Sequence, residues 1–370
     1  MVYLDNVLIG IIVFPIIALI FTFPYMLFQY HKYGSINKFR TLVIYSFIFY
    51  LLVAFFMTLL PLPDPATTIG STWRQHLNLV PFKSIINYWK DISFNFTNIK
   101  LYLKSFDFWQ IIFNIFLTIP FGIYLHYYFK KDLKHTFFYS LLLSLFFEIT
   151  QITGIYGIYP GPYRFADIED IITNTLGGVL GYFIAYLFMK VLPSRDKLDE
   201  ESICEGKVVS GKRRLTAVIF DYLFIYLLYV FLRYILIRAN PELSIYFEEG
   251  YEFYWSLFCL VSLIQVLLSN GFTLGHMICG IRLVSANKSR LSYILRYFII
   301  WLFTDGLLLL RQYLTNNIII NSDISFLLII ISRLYLLIYF FIQLFSKENK
   351  KMLHDKISKC EYVSIVSQKE

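Results

Sequence analysis

Long apolar stretches recur along this chain of 370 residues, and they constrain its fold more than any other feature. Windows of roughly 18 to 25 mostly apolar residues are long enough to cross the hydrocarbon core of a bilayer as helices. Such windows occur at 7–28, 40–60, 109–129, 136–153, 168–191, 215–237, 252–269, 293–312 and 324–345. The sequence therefore predicts an all-α polytopic integral membrane protein with about nine transmembrane helices.

The composition supports this class and argues against a soluble protein and a nucleic-acid-binding protein. Charged residues make up only 16% of the chain, whereas soluble domains average roughly 25%. The net charge is +8, and the excess of Lys and Arg in the cytoplasmic loops of membrane proteins explains it without a nucleic-acid partner. The four cysteines are scattered, so no zinc site or disulfide framework is indicated, and no cofactor is evident.

The loops predict the orientation, because Lys and Arg concentrate on the cytoplasmic side. The loops at 29–40, 130–135, 193–214 and 281–290 and the tail after 346 are basic, whereas 159–170 and 241–252 are acidic. This alternation places the N-terminus outside and the C-terminus inside. The segment 61–108 is an exception, because it contains several Lys and Arg residues yet falls outside by alternation.

A polar stretch of mixed charge divides the chain. We expect a five-helix membrane module at 1–192 with a long outer segment at 61–108. A cytoplasmic linker is expected at 193–210. A four-helix membrane module with a cytoplasmic tail is expected at 211–370.

Polar residues from distant parts of the first module are predicted to share its outer face. The candidate ligand-binding residues are Asn114, Glu148, Gln151, Arg164, Asp167, Asp170 and Asn174. Within them, Asp167, Asp170 and Asn174 fall on one helix face by their spacing. An ionisable residue inside a membrane span is costly and by default suggests function.

Structural roles compete with this hypothesis. Asp167 is well placed to cap a helix N-terminus, and Glu148 could form an ion pair with Arg164. If the residues form a site instead, Arg164 could hold a phosphate or another anionic headgroup. The carboxylates could bind a divalent cation or the amines of a sugar-peptide partner.

Four fragments of the first module resemble one family. These are "NLVPF" (78–82), "NIFLTIPFG" (114–122), "FEITQ" (147–151) and "RFADIEDIITNTLGG" (164–178). Their order and spacing over about 40–192 resemble those of VanZ-like membrane proteins. The resemblance implies a bacterial cell-envelope protein that lowers susceptibility to teicoplanin-type glycopeptides.

The second module resembles the RDD family over about 211–366. The resemblance rests on "RRLTAVIFDYL" (213–223), "GFTLGHMICGIRLV" (271–284) and "KMLHDKISKCEYV" (351–363). The residues that match its motifs are Arg214, Asp221, Thr273, Gly275, Gly280, Arg282 and Asp355. Some members of this family are linked to sodium–proton exchange, so the resemblance allows a transport role.

Two further charged residues lie inside predicted spans. Asp305 and Arg333 both fall near the middle of the membrane, where we expect either a structural ion pair or part of an ion path. His276 is expected to be solvated in a cytoplasmic loop.

Three functions remain open at this point. The first is a non-enzymatic protein that binds or shields an outer-leaflet lipid, a lipid-linked cell-wall precursor or the glycopeptide itself. The second is an ion or small-solute transporter that uses Asp221, Asp305 and Arg333. The third is a membrane enzyme acting on lipid-linked phosphate, for which the sequence offers no catalytic residues. The sequence leaves the oligomeric state open.

Overall fold

The computed structural model describes residues 2–82, 86, 96–241, 253–317, 322–346 and 350–366. Parts of the predicted outer segment 61–108 and most of the acidic loop 241–252 lie outside these residues. The chain forms two compact units. Unit 1 comprises Met1–Ile20 and Lys38–Leu198, and unit 2 comprises Phe21–Asn37 and Asp199–Glu370. Helix α1 (Val2–Tyr33) contributes residues to both.

Unit 1 contains the helices α2 (Lys38–Leu59), α3 (Phe96–Leu103), α4 (Phe106–Ile123), α5 (Leu133–Ile152) and α6 (Ile168–Val191). A π-helical turn at Tyr124–Tyr128 extends α4. Two short strands, β1 (Leu77–Asn78) and β2 (Ala166–Asp167), pair in parallel. Strand β2 leads directly into α6, so it fixes where that helix begins.

Helix α7 (Arg195–Gly206) begins in unit 1 and ends in unit 2. Unit 2 continues through α8 (Gly211–Ala239), α9 (Phe253–Leu268) and the short α10 (Leu274–Cys279). The helices α11 (Arg290–Trp301), α12 (Leu307–Asn317), α13 (Ser322–Phe345) and α14 (Leu353–Ser358) follow. A π-helical turn at Leu302–Gly306 joins α11 to α12.

The fold is mostly helical, as predicted. Helices occupy all nine apolar windows, and seven helical segments of the described chain are long and apolar enough to cross a membrane. These segments are Val7–Tyr33, Lys38–Leu59, Phe108–Tyr128, Ile168–Val191, Gly211–Ala239, Arg290–Thr315 and Asp323–Phe345. Helix α5 is not among them, and Tyr254–Leu268 of α9 is a shorter apolar helix. The count of nine crossings and the orientation therefore stay predictions.

Glycines let α4 and α6 approach closely. A Cβ atom at Gly177 would lie 2.2 Å from the carbonyl oxygen of Ile115, and one at Gly181 would lie 2.1 Å from that of Ile119. These distances leave no room for a side chain, so glycine at two positions one turn apart permits backbone contact. The contact brings the polar residues at the start of α4 beside those of α6.

The sequence did not predict the sheet of unit 2. Strand β3 (Ile281–Ser285) pairs antiparallel with β4 (Cys360–Ser364), with Ile281 opposite Ser364 and Ser285 opposite Cys360. Alternate residues of β3 are buried, which is the period of a strand with one packed face. The pairing joins two segments that both looked like cytoplasmic loops.

Candidate functional site

A cavity of about 940 Å³ lies in unit 1 among α2, β1, α4, α5, the loop before α6 and the start of α6. All seven residues predicted for the outer-face site line it: Asn114, Glu148, Gln151, Arg164, Asp167, Asp170 and Asn174. They come from positions up to 60 residues apart in the sequence. The fold thus collects them around one space that is large enough for a lipid headgroup or a sugar.

Glu148 and Asp167 are joined through the backbone. The Asp167 N–H donates to Oε2 of Glu148 at 2.9 Å, and Glu148 is only 4% exposed. Asp167 is also the N-cap of α6, since its Oδ1 accepts the N–H of Glu169 at 2.8 Å. The amide of Asn78 donates to Oδ2 of Asp167 at 2.7 Å. The capping role expected for Asp167 is therefore present, and it coexists with a position in the cavity wall.

The amides at α4 and α6 bind in a similar way. Asn114 Nδ2 donates to Oδ1 of Asp170 at 2.6 Å, and Asn174 Nδ2 donates to Ser144 Oγ at 3.1 Å. Asn174 is 3% exposed, and within the described structure its Oδ1 has no hydrogen-bond partner. An unpaired buried acceptor is costly, so this atom marks a place where a donor is missing.

The last turn of α2 anchors two more residues of the site. The carbonyl of Thr58 accepts from Gln151 Nε2 at 2.7 Å and from an Nη of Arg164. Arg164 is exposed although it lines the cavity. Among the described side chains, no ion pair joins Arg164 to Glu148. The alternative of a structural Glu148–Arg164 pair is therefore not observed.

Aromatic and apolar side chains complete the wall, including Met57, Phe113, Phe116 and Phe165. Tyr163 also lines the cavity, and burial raises its pKa to about 12. The phenol is therefore neutral at physiological pH. Polar groups set among aromatic faces suit a ligand with both polar and apolar surfaces.

A divalent cation at this acidic cluster was one expectation from the sequence. In the described parts of the chain, no three His, Cys, Asp or Glu side chains are grouped so that they could hold a metal ion. Among the described residues, the divalent-cation expectation therefore has no support from a group of these four residue types.

Sequence analysis missed several residues of the cavity wall. Asn78, Gln75 and Gln110 line it, and the first two lie between helices, where polar residues are ordinary and give no signal. Glu169, by contrast, is buried but does not line the cavity.

In unit 2, two charged residues of α8 cap the ends of α10: Asp221, which the sequence analysis named, and Arg213, which it did not. At the N-terminus, Asp221 accepts from the hydroxyl of Thr273 at 2.5 Å and from the N–H of Gly275 at 2.6 Å. At the C-terminus, Arg213 donates to the carbonyls of Cys279 at 2.7 Å and Gly280 at 2.6 Å. An anion at the start and a cation at the end complement the helix dipole. Both charges belong to α8.

Asp355 is the centre of a buried charge cluster. It accepts from Arg214 at 2.6 Å and from Arg296 at 2.9 Å, and all three side chains are at most 3% exposed. Burial acts to raise the pKa of Asp355, but its interactions with Arg296, His354 and Arg214 lower it well below its usual range. Arg296 was not singled out from the sequence.

Other predicted residues of unit 2 have separate environments. Gly280 ends α10 in the left-handed conformation (φ 65°), which explains a glycine there. Arg282 Nε donates to the carbonyl of Asn270 at 2.9 Å. His276, expected to be solvated, is 2% exposed, and burial lowers its pKa to about 3. It forms a reciprocal cap with Thr273, so the solvated interpretation was wrong.

The structure does not bring Asp305 and Arg333 together. Asp305 is 1% exposed and accepts from the N–H of Ser256 at 2.5 Å and from its hydroxyl at 2.7 Å. Arg333 lies on an exposed side of α13. Within the described residues no ion pair links the two, which differs from the expected pairing.

Together, the apolar helices and the buried polar cavity define a multi-pass helical membrane protein with a candidate binding site. Two family models match the chain: VanZ/LLP1 over residues 47–189 and RDD over residues 208–359. Protein VanZ of Enterococcus faecium is 36% identical over 118 residues, which cover 30% of this chain and 68% of that protein. No solved structure matches the chain significantly.

The chain belongs to the VanZ family and also contains an RDD-family domain. It is a multi-pass membrane protein of the bacterial plasma membrane and acts at the cell envelope. The seven candidate residues of the cavity all lie within the VanZ match, and the capping residues of α10 lie within the RDD match.

Proposed function

We propose that the cavity of unit 1 binds the polar headgroup of an outer-leaflet lipid or lipid-linked cell-wall precursor, and that this binding lowers susceptibility to teicoplanin-type glycopeptides. The observation that supports it is the convergence of seven polar residues from α4, α5, α6 and the preceding loop on one cavity of about 940 Å³. The family membership supports the envelope role.

Binding is favoured over the two alternative functions. For transport, Asp221 is bound to α10, Asp305 is bound to Ser256, and Arg333 is exposed, so these residues do not line a shared path in the described structure. For catalysis, the carboxylates of the cavity are bound to backbone and amide groups. Nothing in this arrangement activates a nucleophile.

The test uses Glu148→Gln in a susceptible bacterial host that expresses the full chain. Glutamine can keep the hydrogen bond from the Asp167 N–H through its carbonyl oxygen while removing the charge. We expect teicoplanin protection to be lost at unchanged membrane abundance. Glu200→Gln, at an exposed position of α7, is the matched control and should protect fully. Full protection by Glu148→Gln would reject the proposal.

The proposal also requires that the cavity open outward. Ile158, 76% exposed in the loop between α5 and α6, is replaced by Cys in a Cys204→Ser background. A membrane-impermeant thiol reagent should label this residue in intact cells. In the wild-type chain, which retains Cys204 at an exposed position, that residue should be labelled only after permeabilisation. The reverse pattern would place the cavity on the cytoplasmic side and overturn the outer-leaflet proposal.

A further inference from the structure

Three amides of the cavity lining bind the protein through their NH₂ groups, whereas that of Gln75 accepts through its oxygen. Asn78, Asn114 and Gln151 donate through their NH₂ groups to the Asp167 carboxylate, the Asp170 carboxylate and the Thr58 carbonyl. An ionised carboxylate and a backbone carbonyl only accept hydrogen bonds, so these partners fix which end of each amide faces them. The amide oxygens, which only accept, are therefore turned away from these partners.

The most buried groups show the same excess of acceptors. Asn174 also donates through its NH₂ group, and its buried Oδ1 has no partner in the part of the chain described here. Glu148 uses Oε2 to accept from the Asp167 N–H. Both side chains are more than nine-tenths buried and both line the cavity. The unpaired Oδ1 of Asn174 is costly at this depth, so a ligand that brings donors would stabilise it.

The charges of the lining point to the sign of that ligand. Glu148, Asp167 and Asp170 are acidic, and Arg164 is basic. The described structure contains no ion pair between any of these carboxylates and a basic side chain. A group that brings several N–H donors and a positive charge satisfies both requirements, and a primary ammonium group has three such donors.

Arg164 adds a second element of recognition. It is the exposed basic residue of the lining, and one of its Nη atoms binds the Thr58 carbonyl. The remaining guanidinium donors suit a phosphate oxygen. The lining thus has deeply buried acceptors at Glu148 and Asn174 and a cation at its exposed margin.

We infer that the cavity recognises a primary ammonium group attached to a phosphate-bearing headgroup, with the ammonium at Glu148 and Asn174 and the phosphate at Arg164. This inference rests on the proposed function, because it names the class of headgroup that the same cavity takes. A quaternary ammonium group has the same charge but no N–H donor, so it should bind poorly.

The test compares two lipids that differ only at the ammonium. Purified full-length protein is incubated with dioleoyl-phosphatidylethanolamine or dioleoyl-phosphatidylcholine, and bound lipid is counted by native mass spectrometry. We expect about tenfold tighter binding of the primary amine, the difference that one charge-assisted hydrogen bond gives. Equal binding of the two lipids would overturn the inference, and this comparison needs no variant that could misfold.

Glu148→Gln provides the second arm. The glutamine keeps its bond to the Asp167 N–H and turns an NH₂ donor toward the ammonium, so the preference for the primary amine should disappear. Glu200→Gln should retain it. A preference unchanged by Glu148→Gln would exclude Glu148 as the ammonium partner and overturn the assignment.

A water-soluble competitor separates two sources of the same chemistry. Phosphoethanolamine that displaces the lipid would show that the headgroup alone is bound. Failure to displace it, with the lipid preference intact, would show that the acyl chains contribute and that the ligand is a membrane lipid. Either result supports ammonium recognition.

This inference and the proposed function can fail separately. Equal binding of the two lipids, with teicoplanin protection still lost in Glu148→Gln, would reject ammonium recognition. The proposed function would still be supported. Selective binding of the primary amine, with normal teicoplanin protection by Glu148→Gln, would support ammonium recognition and reject the proposed function.

Discussion

Unit 1 and unit 2 both bury charged residues, but they satisfy them differently. In unit 2, Asp221, Asp355 and Arg213 each bind two or more groups of the protein. The small cavity beside Asp221 measures only about 60 Å³. In unit 1, the acceptors of Glu148 and Asn174 line a cavity of about 940 Å³.

The difference separates structural from functional use of buried charge. A charged residue inside an apolar protein must be paired or hydrogen-bonded. Where arginines of the protein bind a buried carboxylate, as around Asp355, the residue stabilises the fold. Where a buried carboxylate of the described structure forms no ion pair and lines a cavity, as Glu148 does, we expect a ligand to supply the partner. Four predictions, from the largest expected effect to the smallest, test this contrast.

The largest loss of stability is expected in unit 2. Asp355→Asn removes the carboxylate that balances Arg214 and Arg296, and breaking a buried ion pair costs roughly 3–5 kcal/mol. The apparent melting temperature from fluorescence-detected size-exclusion chromatography should fall sharply, with lower expression. Asp196→Asn is the control, because its pair with Lys130 is at the surface and should be worth less than about 1 kcal/mol. Equal losses of stability in the two variants would contradict a structural role for the buried charge at Asp355.

Acid should destabilise unit 2 through its buried histidines. Burial lowers the pKa of His276 and of His354 to about 3, whereas an unfolded His titrates near roughly 6.5. Between these values the unfolded chain binds protons that the folded chain does not, so stability falls as the pH falls. The slope is about 1.4 kcal/mol per pH unit for each His.

The measurement is the melting temperature from pH 7 to pH 5 for the wild type and for His276→Gln/His354→Gln. We expect a flatter profile for the double variant. The depressed pKa of Asp355 acts in the same direction but only in stronger acid, because its contribution is complete above the unfolded value of about 3.9. Parallel profiles would show that the histidines are not buried as neutral groups.

A smaller effect distinguishes Asp305 from Arg333. Asp305→Ala leaves the N–H and hydroxyl of Ser256 without their acceptor, which costs roughly 1–3 kcal/mol. Arg333→Ala removes an exposed side chain and should change stability by less than about 0.5 kcal/mol. If each single variant loses as much stability as the double variant, the two residues are coupled. That result would contradict the separate environments described above.

The smallest effect on stability is expected at the cavity. Glu148→Gln should change the free energy of unfolding by less than about 1 kcal/mol or increase it, because it removes one of three neighbouring like charges. The apparent melting temperature of Glu148→Gln, the variant used for the teicoplanin assay, checks this expectation. A loss comparable to that of Asp355→Asn would reassign Glu148 to the structural class.

The sequence predicted the residues of the cavity better than those of the charge cluster. Glu148 and Asn174 were recognisable because each interrupts an apolar helix, where polarity is costly. Asn78 was not, because polar residues between helices are common. Arg296 lies three residues inside the predicted span 293–312, at its predicted cytoplasmic end, where a basic residue is ordinary. Only the fold brings it to Asp355.

Local sequence also failed to show pairings between distant segments. Strands β3 and β4 pair across some 80 residues, and each is only five residues long. His276 was expected to be solvated because its segment was predicted to be a cytoplasmic loop. Instead, α10 is covered by α8 and by the sheet residue Tyr362. Burial of this kind depends on tertiary contacts that no sequence period encodes.

The distance along the chain between Arg214 and Asp355, 141 residues, has a consequence for biosynthesis. The two arginines of the cluster leave the ribosome before their carboxylate, which follows 59 residues after Arg296. Until then Arg214 and Arg296 have no Asp355 to neutralise them. Any chain that stops before residue 355 retains two guanidinium groups without their counter-ion. An incomplete product is therefore unstable by its own charges, which exposes it to the proteases that clear unfinished membrane proteins.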